Sequence, residues 1–385
     1  MVQLAKNRIR VLYVVENRSF GGGERGFGQF SENLNRIRFQ PFLAAHLGGK
    51  LEEIVRRAGI PFFPIDMSRK VNFRTISYLS RLISEHQIHI VHSMGARADF
   101  FARMACRKNP SAAVVCTVAM LVEGFDVGFP RKAVYKMADH YSAKYVTQYI
   151  TVSKVLKEIL VKERNIPADK ISVIYNGVEL DQYNPNLQVS DEVRKSLEIS
   201  DDYPIVGTIG RVVYQKGLTY FLEAAQYVYS KKQCVRFVIV GDGPEKVHLK
   251  RLANDLGISH LCTFAGLRFD IAKLLSAFDV FVLSSLLEGL PRVVIEAMAM
   301  ARPIVGTDIN GVREELIHDE TGLLVPPADP KALGDAILKI LDDQQMAERL
   351  GKKARQYTER MFDLKRTLAK VEELYEEIFN STFHK

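Results

Sequence analysis

Apolar and polar positions follow two alternating patterns along this chain. Short, nearly continuous apolar runs give way to longer stretches in which apolar residues recur at helical spacing. Ile9–Val15 (IRVLYVV) is an apolar run of the kind buried on both faces of a parallel sheet. Similar runs predict strands at 41–47, 61–65, 88–92, 113–118, 147–152 and 171–174. Between them the pattern predicts helices at 24–37, 50–58, 73–86, 97–107, 130–143 and 153–163. Such alternation implies a doubly wound parallel sheet. A break follows at the Asn176–Gly177 turn and Pro185. A second alternation opens with PIVGTIG (204–210), continues through RFVIVGDGPEK (236–246) and CTFAGL (262–267), and ends in helices near 331–341, 345–360 and 364–379.

One stretch breaks the pattern. In Ser284–Gly306 (SSLLEGLPRVVIEAMAMARPIVG), a strand-like run leads through a Gly–x–Pro loop into a helix that is apolar on nearly every side. Glu288 lies in the loop, and Glu296 lies inside the helix among Val, Ile, Ala and Met. A carboxylate on a buried helix needs a partner. That partner is either a structural ion pair or capped amide, or a ligand hydroxyl pair such as a ribose at the carboxyl end of a sheet. Ahead of it, Arg211 and Lys216 flank the turn after the 204–210 strand. A planar guanidinium fork and a point charge suit two phosphates, although two basic residues in an exposed loop are also ordinary. Near the start, Glu16–Gly28 (ENRSFGGGERGFG) formally matches G-x-G-x-x-G. Five residues separate its first glycine from the strand, and the 41–47 run carries His46 where a dinucleotide fold wants an acid, so a nicotinamide cofactor is excluded. The glycines remain readable as a diphosphate cradle opening a helix or as a plain strand-to-helix turn.

Charge changes the picture more than composition does. Residues 1–184 hold 27 Lys and Arg against 16 Asp and Glu, and the remainder 26 against 29, so the formal +8 divides into +11 and −3. A basic first half favours an anionic membrane surface or an anionic substrate. Aromatic-interleaved nucleic-acid signatures are absent, so nucleic acid is not expected as a partner. Two basic amphipathic helices carry the membrane expectation, with Arg97, Arg103, Arg107 and Lys108 on one and Arg131, Lys132 and Lys136 on the next. The four scattered cysteines read as small core residues in a reducing compartment, and no spanning run or signal peptide is visible, so a cytoplasmic protein is expected. No Asp-x-Asp and no His cluster of ligand spacing is present, so no metal and no cofactor are expected.

The stretch SSLLEGLPRVVIEAMAMARPIV resembles the signature of the retaining family-4 glycosyltransferases (glycosyl transferase group 1), with Glu288 and Glu296 as their E-x7-E pair. Gly–Gly–x–Glu at 21–24, G-R-x4-K-G at 210–217 and G-D-G-P at 241–244 resemble further motifs of that family. The resemblance covers nearly the whole chain, most densely over 204–330. It implies the GT-B fold, an α/β architecture of two Rossmann-like domains facing a cleft. These would be 1–182 for the acceptor, rejoined by a final helix 364–385, and 183–363 for the nucleotide sugar. It further implies that Glu296 holds the ribose, that Glu288 holds the sugar with help from backbone at Gly289 and Leu290, and that Gly266 and Leu267 meet the base. Gly22 and Gly23 in one domain, and Gly210, Arg211 and Lys216 in the other, would approach the diphosphate. Arg211, Lys216 and Glu288 would be the catalytic residues. The donor would be a nucleotide sugar, with a UDP-sugar expected, and the acceptor a glycan, lipid-linked or phosphorylated molecule. Two positions depart from the family. Ala119 stands where a histidine often faces the donor, and Ala301 stands where glycine is usual, with a packing consequence expected. The alternatives are a nucleotide-sugar-binding protein without transfer and a GT-B epimerase. Acceptor-dependent release of the nucleoside diphosphate separates the transferase from both.

Overall fold

The computed structural model describes residues 8–16, 21–67, 72–121, 129–187, 189–200 and 202–383. The chain divides into two units, Met1–Asn176 with Lys365–Lys385, and Gly177–Leu364. The division falls at the Asn176–Gly177 turn, ahead of 182. Residues just beyond it belong to the second unit because Val178 is pinned there: its N–H donates to Phe362 O (2.8 Å), and its carbonyl accepts from Leu364 N (3.0 Å).

The first unit is built on seven parallel strands: β1 (Ile9–Val15), β2 (Phe39–Ala45), β3 (Phe62–Pro64), β4 (Ile90–Met94), β5 (Ala113–Val118), β6 (Gln148–Thr151) and β7 (Ile171–Val173). Their order is β3-β2-β1-β4-β5-β6-β7. The second unit has six parallel strands: β8 (Ile205–Ile209), β9 (Arg236–Val240), β10 (Cys262–Gly266), β11 (Val280–Leu283), β12 (Ile304–Thr307) and β13 (Leu323–Val325). These run β10-β9-β8-β11-β12-β13. Both sheets are doubly wound. In each, the first strand has the second on one side and the fourth on the other, so winding reverses at β1/β4 and at β8/β11. Apolar side chains on both faces drive the burial: Val11–Val15 and Val280–Leu283 are almost wholly withdrawn from water.

The first unit also carries a polar core. His92 on β4 is fully buried, with Nδ1 2.5 Å from Tyr375 Oη and Nε2 2.6 Å from Thr117 Oγ1. Tyr375 Oη donates onward to Tyr13 Oη at 3.3 Å. A neutral imidazole satisfies both neighbours by donating once and accepting once, and burial pushes its pKa down to about 3. Tyr375 lies on the Leu364–Phe383 helix, so residues far apart in sequence lock that helix to the first sheet. Arg103, expected on an outward basic face, is only 1% exposed. Its guanidinium reaches Asp139 Oδ1 at 2.7 Å and Ser142 Oγ at 3.1 Å. Arg97 is likewise drawn inward, donating through Nε to Glu16 Oε1 at 2.6 Å and through its backbone N–H to Glu16 Oε2 at 2.8 Å. Neither is available to a membrane, because each guanidinium already holds a carboxylate within its own unit. The side chain of Arg131, and residues 17–20 of the glycine segment, lie outside the described residues.

Candidate active site

The loops that leave β8 and β11 flank the place where the second sheet reverses its winding. In parallel α/β sheets this is the position of the ligand crevice. The β8 loop bears Gly210, Arg211 and a short 3-10 turn, Tyr214–Lys216. Gly217 closes that turn at φ +60° and begins the Leu218–Lys231 helix. A Cβ at Gly217 would collide with the Ser284 carbonyl, so glycine is needed for both conformation and contact. The two loops are laced together: Ser284 Oγ donates to Lys216 O (3.0 Å), and Leu286 N donates to Gln215 O (2.8 Å).

At the centre, Lys216 Nζ lies 2.5 Å from Glu288 Oε1, and Ser285 Oγ donates to the same oxygen at 2.6 Å. The pair is largely withdrawn from water, with side-chain exposures of 16% and 5%. Such an ion pair is tightly oriented but costs desolvation, which is a poor arrangement for stability alone. Both donors converge on Oε1. Thr208, Gly210, Arg211, Lys216, Ser284 and Ser285 line one small pocket beside the pair. Arg211 is exposed at its rim, and among the described residues its guanidinium has no ion-pair partner.

The G-D-G-P residues at 241–244 support this loop. Val212 N donates to Asp242 O (2.9 Å), and Glu245 N donates to Val212 O (3.1 Å). The G-D-G-P turn therefore clamps the segment that presents Arg211. On the other side, Thr307 Oγ1 donates to Ser285 O at 2.6 Å, fixing the start of the Glu288 loop from β12. Glu296 is 3% exposed on the Arg292–Ala299 helix, whose N-cap is Pro291, and Leu290 is buried ahead of it. Gly266 and Leu267 close β10, where Gly266 O accepts from Gly241 N at 2.8 Å and Leu267 is 61% exposed. Gly289 packs its carbonyl against Gly311, where a Cβ would collide with it. Gly22 and Gly23 belong to the other unit, in the first turn of the Gly22–Asn33 helix, where Gly21 N donates to Glu24 Oε2 at 2.8 Å.

Two departures acquire a physical content. Ala301 adopts φ +53°, a left-handed conformation that L residues enter at a cost. The expectation of a packing consequence alone is therefore corrected: the alanine brings backbone strain. Ala119 has no imidazole, and His92 does not replace it, because both its ring nitrogens are engaged inside the core.

Residues 189–357 match the family described as Glycosyl transferases group 1, and residues 20–182 match Glycosyltransferase Family 4. An Escherichia coli protein, UDP-Gal:alpha-D-GlcNAc-diphosphoundecaprenol alpha-1,3-galactosyltransferase, is 30% identical over 84% of each chain. The chain belongs to the group 1 glycosyltransferases. A Campylobacter jejuni relative, N,N'-diacetylbacillosaminyl-diphospho-undecaprenol alpha-1,3-N-acetylgalactosaminyltransferase, is 29% identical over 74% of this chain and 76% of its own. Anabaena HepE, solved in complex with UDP and glucose, superposes on this glycosyltransferase with a TM-score of 0.85. It shares 19% identity over 96% of this chain and 100% of its own. That likeness concerns the fold, which is GT-B.

Proposed function

We propose that this glycosyltransferase moves a hexose from a UDP-sugar to a lipid-linked or phosphorylated glycan acceptor, with retention of anomeric configuration, in the assembly of a cell-envelope polysaccharide. The Lys216–Glu288 pair beside exposed Arg211, at the point where the second sheet reverses, carries this reading. Cleavage of a UDP-sugar leaves two negative phosphates. Arg211 and Lys216 supply the opposing charge, and preorganised charge of this kind is usually the largest catalytic contribution. Glu288 Oε2 accepts a hydroxyl of the sugar, and Glu296 accepts the ribose hydroxyls. Gly266 and Leu267 offer backbone to the base. No residue is assigned as a covalent nucleophile. The polyprenyl-diphosphate substrates named for the Escherichia coli and Campylobacter relatives support the acceptor class.

A lipid-linked acceptor places the enzyme at the cytoplasmic face of a membrane. Among the described residues no helix is long and apolar enough to cross one. The Phe129–Ser142 helix instead exposes Val134 (41%), Met137 (72%) and Tyr141 (52%) at helical spacing, with exposed Lys136 and Lys144 nearby. Apolar side chains at a bilayer boundary flanked by cations suit reversible binding to anionic lipid.

The test is acceptor-dependent UDP release across UDP-, GDP- and ADP-sugars, using a polyprenyl-diphosphate glycan as acceptor. Release with one UDP-sugar, and an axial linkage by proton coupling when the donor is axial, is the expected result. Binding of UDP-sugar without release would favour the non-transferring alternative. For the membrane, co-sedimentation with anionic vesicles should be lost in Val134→Asp/Met137→Asp, and equal pelleting with neutral vesicles would exclude lipid charge as the attraction.

A further inference from the structure

The mechanism above leaves one buried acid unused. Glu315 follows the short Asn310–Arg313 helix, in the segment after β12. It is 0% exposed, and both its carboxyl oxygens are buried without a hydrogen-bond partner among the described residues. The helix before it packs directly beneath the active-site loop, since Gly311 lies against the carbonyls of Glu288 and Gly289. Burial pushes the Glu315 carboxyl well above the usual carboxylate range. The negative charges of Glu288 and Glu314 push the same way, and Lys216 opposes them. The Tyr357 phenol of the Gln344–Met361 helix is raised by its own burial, opposed by the Arg360 charge, and also senses Glu314, Glu320 and Glu315.

This arrangement has a chemical consequence for Lys216. An ionised carboxylate beneath Glu288 would compete for the same ammonium, repel Glu288 and oppose an arriving diphosphate. A neutral carboxylic acid does none of these, and a carboxyl taken from water with no cation at hydrogen-bond distance is stable only in that form. Resting on the donor-site reading, the geometry points to Glu315 as a positioning residue: an uncharged acid beneath the loop that keeps Lys216 committed to Glu288 and to the donor phosphates.

Three proteins test this: the parent, Glu315→Gln and Glu315→Ala. Unfolding by urea is followed from pH 5 to pH 9, and UDP binding is measured by calorimetry at pH 7. A group whose folded pKa is raised above its unfolded value contributes stability that is lost as pH rises between the two. The parent should therefore lose ground to Glu315→Gln by up to about tenfold in the folding constant per pH unit above the ordinary glutamate range. The amide, uncharged and of the same shape, should keep UDP affinity within about threefold, whereas Glu315→Ala should weaken it by about tenfold. Parallel stability profiles for parent and Glu315→Gln overturn the neutral acid. Unchanged UDP affinity in Glu315→Ala overturns the positioning role. If Glu315→Ala does not fold, a Glu315→Gln protein that loses UDP binding overturns it instead. Failure of the parent to bind UDP at pH 7, with the stability profiles diverging as expected, overturns the donor-site reading and the positioning role with it, and is distinguishable from the other outcomes.

Discussion

The two units wind their sheets in the same way yet treat the reversal point differently. At β1/β4, Glu16 reaches from the end of one strand to both the backbone and the side chain of Arg97 beyond the other, tying the two loops together with the protein's own charges. Behind it, His92, Tyr375, Thr117 and Tyr13 satisfy one another. At β8/β11 the loops are held by neutral bonds through Ser284 and Leu286, and the Lys216–Glu288 pair crosses between the same two loops. Lys216 and Glu288 form a pair with one oxygen unassigned, Arg211 stands at the pocket rim, and Glu315 lies orphaned below. A winding reversal therefore supplies an opening, and the local side chains decide whether the protein fills it or leaves it for a ligand.

Substitutions sharpen this contrast. The largest effect should come from Lys216→Ala, with transfer slowed by about 10²–10³-fold, or about 3–4 kcal/mol of transition-state stabilisation. Arg97→Ala, its counterpart in the other unit, should leave UDP affinity unchanged while lowering stability by about 1–2 kcal/mol. Equal loss of UDP binding in both variants would erase the distinction. Next, Glu296→Gln should weaken UDP binding by about 2–4 kcal/mol while the fold survives, and calorimetry showing parental affinity for UDP, GDP and ADP would remove the ribose role.

A third effect lies in the filled unit. His92 has a folded pKa below its unfolded value, so its contribution is whole above about 6.5 and is lost as pH falls toward 3. His92→Leu should cost about 2–3 kcal/mol at pH 7 through its orphaned hydroxyl partners. That gap should narrow by about 1.4 kcal/mol per pH unit on acidification below 6.5, and a constant gap in urea titrations would mean that the ring is not held neutral. The smallest effect is Ala301→Gly, which should raise stability by about 0.5–1 kcal/mol by removing the left-handed alanine, as read by thermal melting.

What could be read beforehand follows sequence distance. The strands were visible because each is a local apolar run, although β2 begins at Phe39 instead of residue 41 and the first long helix ends at Asn33, where Asn35 turns the chain by accepting from Phe39 N (2.8 Å). The candidate site residues stood out because Arg211 and Lys216 share one loop, while Glu288 and Glu296 share one loop-helix segment. The polar core was not, since the Tyr375 partner of His92 is 283 residues away. Arg103 looked like a surface cation because its helix carries arginines on several sides, and only the tertiary position of Asp139 and Ser142 shows why one of them turns inward. Nothing local singles out Glu315, which simply follows Glu314 in a short polar run. Its burial depends on the following turn, which local periodicity does not determine.

The helix Leu364–Phe383 is the last described element to leave the ribosome, yet the buried ring of His92, on the fourth strand, waits for its tyrosine. The second unit is a single uninterrupted segment and can close on itself as it is made. The first must hold an incomplete core through the synthesis of the whole intervening unit, exposing Tyr13 and His92 to chaperones or to misplaced partners. Order of assembly is thus written into the chain: the second unit can mature before the unit whose synthesis began ahead of it.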